Sequence, residues 1–198
     1  MAARLGVLGG TFDPPHVGHL LIASDAVEQL ALDRVVFVPA ALQPLKPGSA
    51  RTPSEHRLAM VRALVGDDPR FAVDPIEIDR GGLSYTVETL GTLAARMPGA
   101  ELFLLVGADV LATFARWREP ERIRQLATLV VLTRADAGGP DPAEAPPDFP
   151  GGPPRFLPTR RVDVSSTEVR ARLAAGRSIR GFVPESVADL IGSAGLYR

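Results

Sequence analysis

Short apolar runs alternate along the chain with longer segments in which apolar residues recur every three or four positions. Four of the runs are almost continuously apolar, as is typical of strands that are buried on both faces. They predict strands at Leu5–Gly9, Val35–Pro39, Leu102–Val106 and Thr128–Thr133. A weaker strand is predicted at Phe71–Ile78 and a last one at Val162–Val164. Helical periodicity predicts helices near residues 18–30, 54–65, 86–96, 120–127, 166–175 and 184–193.

This alternation predicts a Rossmann-like α/β fold, with a doubly wound, mostly parallel sheet flanked by helices and a small C-terminal helical part. The length of 198 residues suits a single domain, 1–198. Residues 136–158 interrupt the alternation, because twelve of these 23 residues are proline or glycine. That composition predicts a surface loop rather than a helix or a central strand.

Composition excludes several classes of protein. The chain has no cysteine, so it can form neither disulfides nor thiolate metal sites, and it has no cysteine nucleophile. The net charge of −1 argues against a globally basic nucleic-acid binder. No apolar run approaches the roughly 18 residues that a membrane span needs. We therefore expect a cytoplasmic protein without a nucleic-acid or membrane partner, and leave open whether it forms a homo-oligomer.

The stretch GGTFDPPHVGH, Gly9 to His19, joins the first predicted strand to the first predicted helix. Its spelling matches neither the G-x-G-x-x-G dinucleotide fingerprint nor the G-K-[ST] of a P-loop. Instead, His16 and His19 stand at the start of the helix, where backbone N–H groups favour an anion. The two histidines could also simply cap or pack the helix start. No metal site is predicted, because a zinc ion would lack a third ligand nearer than His56.

GTFDPPHVGH resembles the signature of the H-x-G-H nucleotidyltransferase superfamily, in which G-[ST]-F-D-P precedes H-x-G-H. The resemblance implies that the histidines stabilise charge on the α-phosphate of ATP while pyrophosphate leaves. By matching position, His19 and its partner His16 are the implied catalytic residues. The remaining motif positions implied to bind ATP are Gly9, Gly10, Thr11, Phe12 and Gly18.

Two later stretches fit a nucleotide site. Gly107-Ala108-Asp109 follows a predicted strand, and Asp109 could bind ribose hydroxyls or cap a helix. In the superfamily a similar Gly-x-Asp contacts the ribose of adenosine. The second stretch has the pattern of a capping box, from Ser165 to Glu168, and of a phosphate cradle. It resembles the superfamily's phosphate-binding motif, which implies ATP contacts by Ser165, Ser166, Thr167 and Arg170.

Lys46 is the only lysine of the chain. Lys46 could be an ordinary solvent-exposed loop lysine. Alternatively, its flexible, charged side chain could stay in contact with a phosphate group as that group moves. Related enzymes usually have a P-P-H-K run at this place. Here Pro44-Leu45-Lys46 keeps the lysine, which is implied to contact ATP, and lacks the histidine.

The SYTVETL stretch, the F-x-x-W at Phe114–Trp117 and the C-terminal VPESVADLIGSAGLYR resemble the bacterial nicotinate-nucleotide adenylyltransferase family. The resemblance implies transfer of AMP from ATP to nicotinate mononucleotide, giving deamido-NAD and pyrophosphate. The implied acceptor-binding residues are Tyr85, Thr86, Trp117 and Arg134. Trp117 could instead belong to the core.

Three alternatives remain at this point. The acceptor could be nicotinamide mononucleotide or phosphopantetheine, or the chain could bind nucleotides without turnover. A phosphate acceptor is already largely dianionic at pH 7, since its second pKa is about 6, so the transfer requires no strong base. We expect Mg²⁺ as cofactor, held chiefly by the ATP phosphates and water.

Overall fold

The computed structural model describes residues 2–44, 52–134 and 149–198. Within these ranges six strands form one parallel sheet in the order β3-β2-β1-β4-β5-β6. The strands are β1 (Arg4–Gly10), β2 (Arg34–Pro39), β3 (Phe71–Val73), β4 (Glu101–Gly107), β5 (Thr128–Arg134) and β6 (Arg155–Thr159). This strand order is that of the Rossmann fold, so the predicted fold class is confirmed.

Seven α-helices of the described ranges flank the sheet. They are α1 (Val17–Leu30), α2 (Ser54–Val65), α3 (Ile76–Arg80), α4 (Thr86–Arg96), α5 (Pro120–Leu126), α6 (Ser166–Ala174) and α7 (Glu185–Ser193). Two short 3₁₀ turns, Ala108–Val110 and Phe114–Arg116, follow β4. None of the helices within these ranges is long and apolar enough to cross a membrane.

The central strands β1, β2, β4 and β5 are almost continuously apolar because helices cover both faces of the sheet. Successive side chains of a strand point to opposite faces. On one face Leu8 and Leu105 pack in a cluster with residues of α1, α2, α6 and α7. On the other face Val7 and Leu104 pack with residues of α3, α4 and α5.

The weak strand expected at Phe71–Ile78 is shorter than the sequence pattern predicts. β3 ends at Val73, and Ile76–Arg80 forms α3. Pro75 has no N–H to extend the sheet ladder. The Asp74 carboxylate accepts the Ile76 N–H at 3.0 Å and so supports the start of the helix.

The strand expected at Val162–Val164 is wrong. The last strand of the described residues is β6, at the edge of the sheet, and all of it but Thr159 lies in the range predicted to be a loop. An edge position tolerates Pro158, because only one side of the strand is paired. The chain then leaves the sheet, since the Arg160 N–H and guanidinium both bind the buried carboxylate of Asp25 on α1. Residues 136–148 of the predicted loop lie outside the described ranges.

Candidate active site

The candidate site lies where the strand order reverses, at the carboxyl ends of β1 and β4. These strands are neighbours, with Leu8 opposite Leu105. The crossovers from β1 and β4 run to opposite sides of the sheet, which opens a crevice that commonly binds ligands in this topology. A Cβ atom added to Gly9 would have no atom within 4 Å, so the backbone at the end of β1 is open to close approach.

The strand end of β4 brings a carboxylate to the same crevice. A Cβ atom at position 107 would lie 2.9 Å from Asp109 Oδ1, so Gly107 leaves room for this side chain. The residue that precedes the 3₁₀ turn is Gly107, and Asp109 lies inside the turn. The alternative that Asp109 caps a helix is therefore wrong.

Phe12 lies in the segment between β1 and α1, residues 11–16, which we call the histidine loop. Its backbone has a φ of +51°, which is uncommon for a residue with a side chain. The ring is buried, and its centroid lies 4.9 Å from that of His19 and 6.0 Å from that of Phe37 on β2. A Cβ atom at Gly10 would come within 3.0 Å of this ring. Phe12 therefore fixes the loop to the core directly beneath His19.

The two histidines lie against each other at the first turn of α1. Their ring centroids are 3.8 Å apart, and the backbone N–H of His16 donates to Nδ1 of His19 at 3.1 Å. Because Nδ1 is an acceptor, the proton of a neutral His19 ring is on Nε2. The contact stabilises the helix start and also makes Nε2–H a defined hydrogen-bond donor. The histidines can therefore both cap the helix and bind an anion.

Burial makes both histidines neutral at pH 7. It lowers the pKa of His16 to about 4. Burial lowers the pKa of His19 further, to about 3, and the neighbouring His16 adds to this effect. Neutral imidazoles can donate hydrogen bonds from N–H without carrying a charge. An anion in the crevice would favour their protonated forms.

Gly18 allows the His16 ring to lie flat against the helix. An added Cβ atom would stand 2.9 Å from His16 Nδ1 and 3.3 Å from Cγ1 of Val162. Contacts shorter than 3.0 Å force a movement of the ring or the helix. The glycine between the two histidines is therefore required by the packing of this pair.

The α6 segment is joined to the histidine loop by hydrogen bonds. The hydroxyl of Ser166 donates to the Pro14 carbonyl at 2.7 Å, and Nη1 of Arg170 donates to the Asp13 carbonyl at 2.6 Å. Arg170 Nη2 also donates to Oγ1 of Thr167 at 3.2 Å. The structure thus brings two distant sequence motifs together beside the crevice.

Ser165 acts as the cap of α6, as the capping-box pattern predicts. Its Oγ accepts the backbone N–H of Glu168 at 3.1 Å. The hydroxyl therefore already has a partner in the unliganded chain.

Tyr85 and Trp117 pack on the same face of the sheet, next to the turn that holds Asp109. Tyr85 directly precedes α4, and Thr86 is the first residue of that helix. The half-buried Trp117 has its ring 5.5 Å from that of the fully buried Phe114. The Arg118 guanidinium lies 4.7 Å above the Tyr85 ring.

Of two further predicted site residues, Arg134 is described by its backbone, and Lys46 lies outside the described ranges. Arg134 is the last residue of β5, beside the end of β4, so its backbone reaches the same edge of the sheet. Lys46 belongs to residues 45–51, outside the described ranges. Its ATP contact stays a prediction.

Sequence reasoning missed three residues that hold the loop in place. Asp13 is buried, and its Oδ1 accepts a hydrogen bond of 2.5 Å from the hydroxyl of Tyr197. Arg57 is also buried and donates to backbone carbonyls, including that of Thr11. The periodicity of α2 could have revealed Arg57, since Met60 and Val61 follow it at the spacing of one buried face.

Comparison with known proteins gives a consistent result. A family model described as Cytidylyltransferase-like matches residues 7–172. The chain is 53% identical over 197 residues to a probable nicotinate-nucleotide adenylyltransferase of Gemmatimonas aurantiaca, covering 98% of this chain and 92% of that one. It is 49% identical to the protein of the same name from Roseiflexus sp., with coverage of 100% and 99%. Identity to the Thermus thermophilus protein of that name is 47%, with coverage of 98% and 100%.

The fold also matches solved structures. The Plasmodium falciparum nicotinic acid mononucleotide adenylyltransferase complexed with NaAD superposes with a TM-score of 0.77, covering 98% of this chain and 97% of that one. At 18% sequence identity this likeness concerns the fold.

Proposed function

Because this chain belongs to the cytidylyltransferase-like family, we infer that it transfers the adenylyl group of ATP to nicotinate mononucleotide, producing deamido-NAD and pyrophosphate in NAD biosynthesis. Relatives at 53%, 49% and 47% identity over nearly the full length carry the name of this enzyme. The structural observation that carries the inference is the convergence of His16, His19 and Arg170 with the Gly107–Asp109 turn at the β1 and β4 strand ends.

The chemistry at this site is nucleophilic substitution at the α-phosphorus of ATP. A phosphate oxygen of the acceptor forms the new P–O bond, and the bond to pyrophosphate breaks. The attacking phosphate is largely dianionic at pH 7, so no proton must be removed from it. The protein contributes by aligning the reactants and by stabilising the charge that develops on phosphate oxygens.

His19 is placed to stabilise that charge. Its Nδ1 is occupied by the His16 N–H, which leaves Nε2–H as the donor toward an α-phosphate oxygen. Because the unliganded ring is neutral, its contribution begins as a hydrogen bond and strengthens as negative charge grows. His16, in contact with it, is proposed to act on the same phosphate group.

The rest of the ATP molecule is proposed to lie across the strand ends. The open backbone at Gly9 supports close approach of the nucleotide, and Asp109 is suited to accept hydrogen bonds from ribose hydroxyls. Arg170 and Thr167 are proposed to meet the outer phosphates. Ser166 is proposed to contribute by holding the histidine loop, since its hydroxyl already donates to Pro14.

The acceptor is proposed to lie between α4 and the segment after β4. The N-terminal end of α4, with the hydroxyl of Thr86, can bind the carboxylate of a nicotinate ring. The half-buried Trp117 offers one ring face for stacking on a planar cationic ring. Tyr85 and Arg134 are proposed to complete this part of the site.

A divalent cation is proposed to accompany ATP. Among the described residues no three histidine, aspartate or glutamate side chains converge as a metal cage would require. The donors present therefore fit Mg²⁺ held mainly by phosphate oxygens and water. When bound, the ion neutralises part of the triphosphate charge.

The decisive assay compares acceptors under identical conditions. Purified protein with ATP and Mg²⁺ should form deamido-NAD and equimolar pyrophosphate from nicotinate mononucleotide. We expect kcat/KM to be at least roughly tenfold lower with nicotinamide mononucleotide, since a site built for a carboxylate loses its charged partner. Greater efficiency with the amide or with phosphopantetheine would overturn the acceptor assignment. Nucleotide binding without pyrophosphate release would indicate a sensing module.

A further inference from the structure

Arg57 is among the most deeply buried side chains of the described residues, at 1% exposure. Its guanidinium donates to four backbone carbonyls. Nε binds the Thr52 carbonyl at 3.1 Å, Nη1 binds those of Thr11 at 2.8 Å and Ala40 at 2.7 Å, and Nη2 binds that of Ala41 at 3.2 Å.

These carbonyls belong to three separate segments of the chain. Thr11 lies in the histidine loop after β1, Ala40 and Ala41 follow β2, and Thr52 precedes α2. β1 and β2 are paired up to Gly10 opposite Pro39, after which the ladder ends. The Ala40 N–H still donates to the Gly10 carbonyl at 2.9 Å. Beyond that bond, Arg57 joins the loops that leave the two neighbouring strands.

The contact to Thr11 is one residue away from the base of the histidine loop. Phe12 follows directly, and its ring lies against the ring of His19. Holding the Thr11 carbonyl thus fixes the position of Phe12, and through it the position of the His19 ring. Misplacement of a reacting group by about 1 Å can lower a rate about 100-fold.

A charged side chain at this place is costly by itself, because its surroundings are buried. Arg57 shares the buried face of α2 with Met60, Val61 and Leu64. Burial opposes the charged form and lowers the pKa of its guanidinium, while the nearby Asp13 favours the charged form. An apolar side chain would leave the four carbonyl oxygens without this donor, and only a forked donor can reach all of them at once.

We propose that Arg57 is a positioning residue of the adenylyl-transfer step, which fixes the histidine loop to the end of β2 so that His19 meets the α-phosphate. The proposal rests on the adenylyl-transfer activity inferred above. Arg57 acts through backbone carbonyls and Phe12, and no contact of its own with substrate is required.

The first test is kinetic. Arg57→Lys keeps the positive charge but replaces the planar guanidinium, with its several N–H donors, by a single ammonium group. It should lower kcat at least about tenfold, while KM for ATP changes less than about threefold. Arg62→Lys, an exposed arginine on the same helix, is the matched control and should leave both constants unchanged. A kcat of Arg57→Lys within about twofold of the unmodified enzyme would overturn the proposal.

A double-mutant cycle separates positioning from general support of the fold. If Arg57 acts through His19, Arg57→Lys should lower kcat less than about threefold once His19 is already alanine. An equal loss in both backgrounds would assign Arg57 to the fold alone. Arg57→Gln is the second variant, and circular dichroism checks folding. Failure of both variants to fold would likewise overturn the positioning role.

A nuclear magnetic resonance measurement that needs no turnover tests the role of Arg57 separately from the proposed enzyme activity. In ¹⁵N-histidine spectra of the unliganded protein, the ring resonances of His19 should shift in Arg57→Lys and stay in place in Arg62→Lys. A shift in a protein that makes no product would show that Arg57 positions the His19 ring and would overturn the proposed activity alone. Unshifted His19 resonances would overturn the positioning role whatever the activity.

Discussion

The hydroxyl of Tyr197, the penultimate residue, donates a 2.5 Å hydrogen bond to the buried carboxylate of Asp13 in the histidine loop. Asp13 also presents its backbone carbonyl to Arg170 of α6. The C-terminal segment and α6 thus converge on one residue of the loop. Hydrogen bonds between parts of the chain more than 150 residues apart therefore stabilise the position of this loop.

Tyr197→Phe should destabilise the protein. The change removes a donor from a buried carboxylate, and such losses cost about 1–3 kcal/mol. For a chain of this length the melting temperature should fall by about 2–4 °C for each kcal/mol. Thermal unfolding measured by circular dichroism checks this.

The control is the double variant Tyr197→Phe with Asp13→Asn. If the two groups interact directly, its loss should be smaller than the sum of the two single losses. Strictly additive losses, or an unchanged melting temperature for Tyr197→Phe, would show that the hydrogen bond contributes nothing measurable.

Gly18→Ala should lower kcat about 10- to 100-fold, because the new methyl group would collide with the His16 ring. The loss should occur although alanine is the better helix former by about 1 kcal/mol. Steady-state kinetics measure it.

Gly192→Ala in α7 is the matched control, since a Cβ atom added there meets nothing within 4 Å. It should keep normal turnover. Normal turnover of Gly18→Ala itself would mean that the placement of His16 is unimportant for the rate.

The two buried histidines should make the protein less stable in mild acid. Their folded pKa values of about 4 and about 3 lie below the unfolded value of about 6.5, so the unfolded chain binds more protons between these limits. The stability that depends on the neutral histidines is fully present above about pH 6.5, and it is lost as the pH falls toward the pKa values of the folded protein. The free energy of unfolding should fall by up to about 1.4 kcal/mol per pH unit for each histidine.

Urea unfolding at pH 7, 6 and 5 measures this slope. His16→Gln should reduce it, whereas replacing the exposed His56 by glutamine should leave it unchanged. Equal slopes in all three proteins would contradict the assignment of depressed pKa values to the buried pair.

Trp117→Leu should raise KM for nicotinate mononucleotide at least about tenfold, since loss of a stacked ring can cost about 1–2 kcal/mol. KM for ATP should change less than about threefold, because the proposed ATP contacts lie elsewhere. Steady-state kinetics with each substrate varied in turn give both values. Equal changes in the two constants would assign Trp117 to the core with Phe114.

The centre of the sheet could be predicted from sequence because its strands are apolar on both faces and three of them, β1, β2 and β4, end at glycine or proline. Leu5–Gly9 and Val35–Pro39 are examples, and both strands match the structure within one residue at each end. β6 could not be found in this way, because Arg155 and Pro158 interrupt its apolar pattern. An edge strand paired on one side needs less apolar surface than a central one.

The crevice residues were accessible to sequence reasoning because they lie in short contiguous motifs. The roles of the supporting residues were harder to predict, because their partners are distant or are backbone atoms. Tyr197 is 184 positions away from Asp13. The periodicity of α2 places Arg57 on a buried face, but its partners are carbonyl oxygens, which the identity of the partner residues does not reveal.

The most direct test of the account is the rate of deamido-NAD formation by the unmodified protein and by His19→Ala, with ATP and nicotinate mononucleotide at saturation. The account predicts that the unmodified protein releases pyrophosphate in step with product. It predicts a kcat at least about 100-fold lower for His19→Ala, the scale of one lost transition-state donor, with a smaller change in ATP affinity. Near-normal turnover of His19→Ala would contradict it.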